Sequence, residues 1–488
     1  MPAPAELEAI ARGAPPPPLD AGDRKRITAG RAVVEDALAE GRVVYGVSTG
    51  FGQLSSVRID AADAAQLQVN LLRSHAVGSG EPLPREVARG MMALLAASLR
   101  RGHSGVRVEV VELLLAMLER DVVPVIPSRG SVGSSGDLAP LAHLGLVLIG
   151  EGEATLRGER LPGGEALAGA GLRPVTLAAK EGLALINGTH LMAAAGTLAV
   201  RAARRVLESA IVAVALSLEA FKGSTVPFDA RLHEVRGQPG PARVAARLRE
   251  LLAGSPVVAS HADCGRVQDP YTLRCAPQVL GAVDDALGYV EGALERELGA
   301  VTDNPLVFAG DAAILSGGNF HGQPLSLPLD HLALAMTELA SFAERRTYAL
   351  LTPGYAGLPP FLTPQPGLSS GLMIAQYAAA ALVNECQVLA HPAGAGSIPT
   401  SAGMEDFNSM GAWAALKAQT VVRHAAHVVA TELVCACQGL EFHRPLRTTE
   451  ALETALARVR SVVPRVEEDR SLAGELAALA TRVHDRGL

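Results

Sequence analysis

The richest concentration of reactive side chains is one short run, Gly130-Ser131-Val132-Gly133-Ser134-Ser135-Gly136-Asp137-Leu138-Ala139-Pro140-Leu141-Ala142-His143. Serines spaced by glycines lead here into an apolar segment, with an acid at the junction. Three chemistries fit the pattern. A glycine-rich turn before a helix can cradle phosphate, although the Gly-Lys-Ser/Thr ending of a P-loop and the Rossmann glycine spacing are both missing. A plain structural turn with Asp137 as N-cap uses the same residues. The third chemistry belongs to the backbone. Gly136 has no Cβ, so its nitrogen can approach the carbonyl carbon of Ser134 closely. Ring closure there, followed by loss of water from Ser135, makes a methylidene-imidazolone, a strong electrophile that needs no external cofactor. Spacing alone leaves all three open.

Further polar motifs interrupt an otherwise apolar chain: Tyr45-Gly46-Val47-Ser48-Thr49-Gly50-Phe51-Gly52, Leu185-Ile186-Asn187-Gly188-Thr189, Gln268-Asp269-Pro270-Tyr271-Thr272-Leu273-Arg274-Cys275, Thr302-Asp303-Asn304-Pro305 and Gly317-Gly318-Asn319-Phe320-His321. Taken singly, an Asp-Asn-Pro or a Gly-Gly-Asn is an ordinary turn. His424 and His427 share a helix face with Glu432 nearby. They lack the His-Glu-x-x-His order and a third ligand, so a satisfied pair is expected and no metal.

The elements that must position these residues read as mainly α. Helical composition covers residues 28–38, 61–72, 84–100, 107–120 and 138–148, with loops at 46–52 and 124–136. Residues 150–175, rich in glycine and proline, predict a loop with a short hairpin. Residues 1–30, with prolines at 15–18, predict an exposed, extended arm. Beyond residue 188 the chain turns to long alanine- and leucine-rich segments, at 194–222, 279–298, 330–351, 372–390, 410–438 and 449–463. Residues 210–218 are apolar on nearly every side and predict all-round burial. Gly223 stands where a C-cap glycine belongs. Several such helices imply a bundle. The expected organisation is a smaller α-rich N-terminal domain, 1–190, carrying the Tyr45 and Ser134-Ser135-Gly136 loops, and a long-helix domain, 191–488.

Composition narrows the function. The 488 residues carry a net charge of −7, against the basic stripe that a nucleic-acid partner requires. Arg204-Arg205 and Arg345-Arg346 read as solvated helix faces. No apolar run approaches the roughly 20 residues of a membrane span, and no secretory leader is evident. Five scattered cysteines, Cys264, Cys275, Cys386, Cys435 and Cys437, form neither a disulfide framework nor a zinc knuckle, and fit a reducing cytoplasm.

Taken together and in order, the motifs resemble the aromatic amino acid ammonia-lyases and aminomutases along nearly the whole chain. In that family an Ala-Ser-Gly triplet condenses into the methylidene-imidazolone; here Ser134 replaces the alanine. The resemblance implies that Tyr45 is the catalytic base, that Tyr271 acts near the ring and reacting carbon, and that Asn187 binds substrate or ring. It further implies that Arg274 grips the substrate carboxylate, a task suited to a planar guanidinium. Gln268 lies in the same substrate segment, Asn304 is a polar contact and Phe320 a pocket wall. A homotetramer with active sites shared between subunits is implied too, with no metal or nucleotide cofactor.

Two positions bear on the substrate. Ser74-His75 resembles the pair of histidine-type members, where phenylalanine-type members carry Phe-Leu and tyrosine-type members His-Leu. His75 can hydrogen-bond an imidazole. Glu405 matches a histidine-type glutamate, whose carboxylate would make a charge-assisted bond to imidazole and would suit a phenyl ring poorly. The surrounding Met404-Glu405-Asp406-Phe407-Asn408-Ser409 departs from the usual Gln-Glu-Asp-His-Val-Ser, and Asn408 follows the phenylalanine-type pattern. The expectation is deamination of L-histidine to trans-urocanate. A lyase or 2,3-aminomutase acting on tyrosine or phenylalanine is the nearest alternative, and a helical scaffold without the ring is the alternative from another class.

Overall fold

Alanine and leucine give up little side-chain entropy in a helix, and the computed structural model is correspondingly mainly α. It describes every residue except Met1, Phe51, Ser55, Asp263, Cys264, Tyr355 and Ala356, so Phe51 of the tyrosine motif and Cys264 lie outside the described residues. Among the described residues, strands are confined to three small antiparallel sheets. No described helix is long and apolar enough to cross a membrane.

The chain forms two compact units that interleave in sequence. The first comprises Met1–Leu198, Gly292–Leu329 and Ala393–Leu416; the second comprises Ala199–Glu291, Asp330–Pro392 and Lys417–Leu488. A single cut at residue 190 does not describe them, because two later segments return to the first unit.

In the first unit the expected N-terminal arm is instead helical. Pro4–Ala11 buries Leu7, Ile10 and Ala11, and it packs against Arg85–Leu99. Each large apolar side chain so buried contributes about 1.5–3 kcal/mol, enough to order a short N-terminal segment. After the prolines, Asp20 starts helix Ala21–Ala39 through a reciprocal capping box with Asp23. The expected hairpin is present: Glu153–Leu156 pairs with Glu159–Pro162 in register Glu153↔Pro162 to Leu156↔Glu159, and Val123–Pro124 adds a third strand.

The second unit holds most of the length of the long helices. His190–Ala220 starts in the first unit and continues here, and between residues 210 and 220 every residue but Val212 is buried. Its end corrects the sequence expectation. The left-handed residue is Lys222, with φ 50°, and not Gly223. The N–H of Gly223 donates to the Leu218 carbonyl at 2.8 Å. A Cβ at Gly223 would come within 3.0 Å of Leu218 Cγ and 3.3 Å of Asp269 Oδ2, so close packing accounts for that glycine. Ala276–Leu298, Gln323–Leu351, Met373–Leu389, Gly411–Glu441 and Glu450–Arg460 lie near their expected positions. Gln323–Leu351 begins seven residues early and carries Pro328 inside it, although a proline removes one helical hydrogen bond. Arg346, expected on a solvated face, is fully buried. Its Nε and Nη2 reach Glu432 at 2.6 and 2.7 Å, and Ser217 Oγ donates to the same carboxylate at 2.9 Å. That pair occupies Glu432, and His424 pairs with Glu385 at 3.0 Å.

Candidate active site

The glycine-serine loop is folded tightly against the start of the helix that follows Gly188. Ser135 has φ 50°, in the left-handed region that costs an L side chain energy. The Ser135 carbonyl accepts from Gly188 N at 3.2 Å, and Asp137 N donates to the Gly188 carbonyl at 2.8 Å. Gly136, at φ 83°, is pressed onto Gly188: an added Cβ would stand 2.2 Å from its carbonyl oxygen. From the other side Met410 N donates to the Val132 carbonyl at 2.9 Å. Ser134 is buried, and its hydroxyl has no hydrogen-bond partner among the described residues.

Asp137 caps a helix, but not the one it precedes. Its Oδ2 accepts from Leu191 N at 2.9 Å and Met192 N at 3.2 Å, at the start of His190–Ala220. Helix Leu138–Leu148 gets no side-chain cap from it. Ser131 Oγ adds a third donor at 3.3 Å. Burial nevertheless pushes the carboxyl up to about 7, against those three hydrogen bonds. Next to it, burial pushes His190 down to about 4.

The loop opens onto a cavity of about 1020 Å³ within the first unit. Ser135 lines it, together with Tyr45, His75, Asn187, Asn304, Phe320 and Glu405. Seven of the twelve predicted site residues are thus brought together, from segments up to 360 positions apart. Ser134 and Gly136 adjoin Ser135 in the chain but are not among the residues lining the cavity. The hydroxyl of Tyr45 accepts from Gly52 N at 3.2 Å. Asn187 ends helix Glu181–Ile186, and its amide donates to the Leu183 and Asn304 carbonyls at 3.3 and 3.1 Å. Asn304 Oδ1 accepts from Gly317 N at 2.8 Å. His75 ends helix Ala64–His75, with Nδ1 held 2.9 Å from the Leu71 carbonyl. Burial lowers its pKa, while that carbonyl and the Glu405 charge oppose the shift. Glu405 Oε2 accepts from Thr400 Oγ1 at 2.6 Å. Much of the remaining lining is apolar, including Leu54, Leu67, Leu71 and Ile186, with Met404 at the edge of the Glu405 loop.

Gln268, Tyr271 and Arg274 belong to the second unit and are not among the residues lining this cavity. Gln268 is exposed, Tyr271 is 68% exposed, and the Arg274 guanidinium lies 4.5 Å over the Tyr271 ring.

Sequence reading missed the supports. Lys180, fully buried, pairs with Asp303 at 2.6 Å, and Asp303 accepts from the backbone N–H of Asn304 at 2.6 Å. Burial raises the Asp303 carboxyl although Lys180 opposes it. The available signal was a lone lysine beside an apolar stretch. Thr400 gave no signal. Among the described residues no group of three His, Cys, Asp or Glu side chains is placed to hold a metal ion.

The profile of the family described as aromatic amino acid lyase matches residues 3–461. The chain belongs to this family. Among aromatic amino acid lyases, it is 53% identical to a histidine ammonia-lyase of Anaeromyxobacter sp. (strain K), over 99% of this chain and 97% of the relative. The crystal structure of histidine ammonia-lyase from Trypanosoma cruzi superposes with a TM-score of 0.91 at 42% identity, covering 99% of this chain and 91% of that one. The phenylalanine aminomutase of Pantoea agglomerans gives 0.93 at 32% identity, covering 99% and 97%. For an aromatic amino acid lyase the implied prosthetic group is a methylidene-imidazolone, and the loop of this member accommodates one. Its central serine already has a positive φ, and no Cβ fits on Gly136.

Proposed function

We propose that this aromatic amino acid lyase eliminates ammonia from L-histidine to give trans-urocanate, with a methylidene-imidazolone formed from Ser134-Ser135-Gly136. The observation that carries the reading is the meeting of His75 and Glu405 with Ser135 in one cavity. Two imidazole-binding groups there suit a substrate that both donates and accepts hydrogen bonds. A phenyl ring would offer that half-buried carboxylate no hydrogen bond beyond the one from Thr400, at a cost. The identity to histidine ammonia-lyases over nearly the full length supports the same substrate.

When formed, the prosthetic group supplies an electrophile that turns the amino group of the substrate into a leaving group. The rest falls to the side chains. Tyr45 takes the β-proton as general base, the electron pair of that bond becomes the Cα–Cβ double bond, and the Cα–N bond breaks. His75 and Glu405 orient the imidazole, Phe320 walls the pocket, and Asn187 and Asn304 set its polar side. Gln268, Tyr271 and Arg274 act on the carboxylate and the reacting carbon. We infer that they reach the cavity from a neighbouring subunit of a homotetramer. Support comes from the exposure of Tyr271 and Gln268 and of apolar side chains on the long helices, including Leu334, Ile374, Tyr377 and Val388. A cytoplasmic location agrees with the free thiols of Cys275, Cys386, Cys435 and Cys437.

Intact-mass spectrometry and a substrate panel test the reading. The protein is expected to weigh two waters less than its sequence, and Ser135→Ala to restore that mass. L-histidine is expected to give a conjugated acrylate far faster than L-tyrosine or L-phenylalanine. Full unmodified mass sinks the prosthetic group, and β-amino acid products or preferential turnover of tyrosine sink the substrate.

A further inference from the structure

Asn408 is the residue whose type departs toward the phenylalanine pattern, yet it does not line the cavity. It is 2% exposed, and its side chain sits inside the loop that carries Glu405. Its amide Nδ2 lies 2.7 Å from the Ile398 carbonyl, 3.2 Å from Thr400 Oγ1 and 3.4 Å from the Glu405 carbonyl. Its backbone N–H donates to Ser397 Oγ at 2.6 Å. Thr400 and Glu405 are also bridged through their backbones, at 2.9 and 3.3 Å. A hydroxyl has one hydrogen to give. Thr400 spends it on Glu405 Oε2 at 2.6 Å, so toward Asn408 it acts as acceptor. The donors therefore all run one way, from the Asn408 amide to the Thr400 hydroxyl to the Glu405 carboxylate.

We infer that Thr400 and Asn408 are positioning residues for substrate selection: together they fix the Glu405 carboxylate through Oε2 so that an imidazole is met by Oε1. The inference rests on the proposed histidine reading and names what sets the aim of its specificity residue. Asparagine at 408 is a loop strut and carries no preference for a phenyl ring. Valine at 400 would remove the only hydroxyl in the relay and free the carboxylate to rotate. An aspartate at 408 would have no hydrogen to donate when ionised and would bring a second carboxylate beside Glu405.

Thr400→Val and Thr400→Ser are compared with the unsubstituted enzyme, once the latter has been shown to deaminate L-histidine; absence of that activity sinks the substrate reading before this one is tested. Thr400→Val is expected to raise KM for L-histidine roughly tenfold, as loss of one hydrogen bond to a charged group does, with a smaller change in kcat. Thr400→Ser is expected to stay within about twofold of the parent, because it keeps the hydroxyl. Titration calorimetry of L-histidine into the Ser135→Ala protein, with and without Thr400→Val, is expected to show the same weakening independently of turnover. An unchanged KM and dissociation constant in Thr400→Val, or a Thr400→Ser protein as impaired as Thr400→Val, overturns the inference. Asn408→Ala supplies a second arm: a raised KM in a protein with the parent's melting temperature supports the relay, and an unaltered KM refutes the part of Asn408.

Discussion

Both units bury charge, but they do so differently. In the second unit Arg346 and Glu432 meet in a two-pronged pair with Ser217 as a further donor, tying together helices His190–Ala220, Gln323–Leu351 and Gly411–Glu441. That geometry sets two guanidinium nitrogens against the two carboxylate oxygens, with Nη1 left without a hydrogen-bond partner among the described residues, and it fixes where helices lie. In the first unit, around the cavity, the buried groups are less evenly matched. Asp137 is held by backbone and hydroxyl donors and pushed up to about 7, and His190 is pushed down to about 4. Asp303 stays raised even with Lys180 beside it. Ser135 holds a left-handed backbone. Of these groups only Ser135 lines the cavity itself, and Asp137 and Asp303 stand within two residues of lining positions in the chain. Strained backbone and perturbed ionisation beside a cavity are what a reactive site would require, whereas the Arg346–Glu432 pair lies between helices of the other unit.

The comparison can be broken most sharply at Gly136. A Cβ there would stand 2.2 Å from the Gly188 carbonyl oxygen, so Gly136→Ala is expected to abolish both the two-water mass loss and activity. A Gly136→Ala protein with the dehydrated mass would show that the close approach to Gly188 is unnecessary.

The two buried ion pairs should then separate in kind. Glu432→Gln strands a buried guanidinium, which arginine cannot neutralise, and is expected to cost about 3–5 kcal/mol in denaturant unfolding. Asp303→Asn strands an amine, which can shed its proton, and is expected to cost a smaller amount, about 1–3 kcal/mol, while lowering kcat through Asn304. Equal losses of stability, with kcat untouched in Asp303→Asn, would erase the distinction between site and scaffold.

The smallest effects lie in pH. Asp137 is raised from 3.8 to about 7, so the folded protein holds the extra proton between those values and Asp137 makes stability fall as pH rises through that window. His190 is lowered from 6.5 to about 4, so the unfolded chain holds the extra proton and stability falls as pH drops from 6.5 toward 4. The two slopes oppose each other between about pH 4 and 6.5. His190→Gln is expected to unmask the Asp137 slope as higher stability at pH 5 than at pH 7, and Asp137→Asn to unmask the opposite one. Melting temperatures across that range check both signs.

Much of this was legible from residues alone. The order of the Tyr45, Ser134-Ser135-Gly136, Asn187, Arg274, Asn304 and Phe320 motifs pointed to the family, because chemistry of this kind demands particular residue types at particular places. Runs of alanine and leucine announced the long helices, since helix formation is largely local. The misreadings arose where a neighbour distant in sequence decides. Residues 4–11 look like an arm until Arg85–Leu99 offers them an apolar face. Arg346 looks solvated until Glu432, on another helix, accepts from its Nε and Nη2.

The sequence by itself determined which reactive groups exist and which segments coil, because side-chain chemistry and helix propensity are carried by each residue and its near neighbours. Only the tertiary structure decided that Asp137 caps the helix starting at His190, that His75 faces the same cavity as Glu405, and that Asn408 braces the Glu405 loop. Those relations depend on directional bonds between segments far apart in the chain, and no local pattern encodes which donor will meet which acceptor.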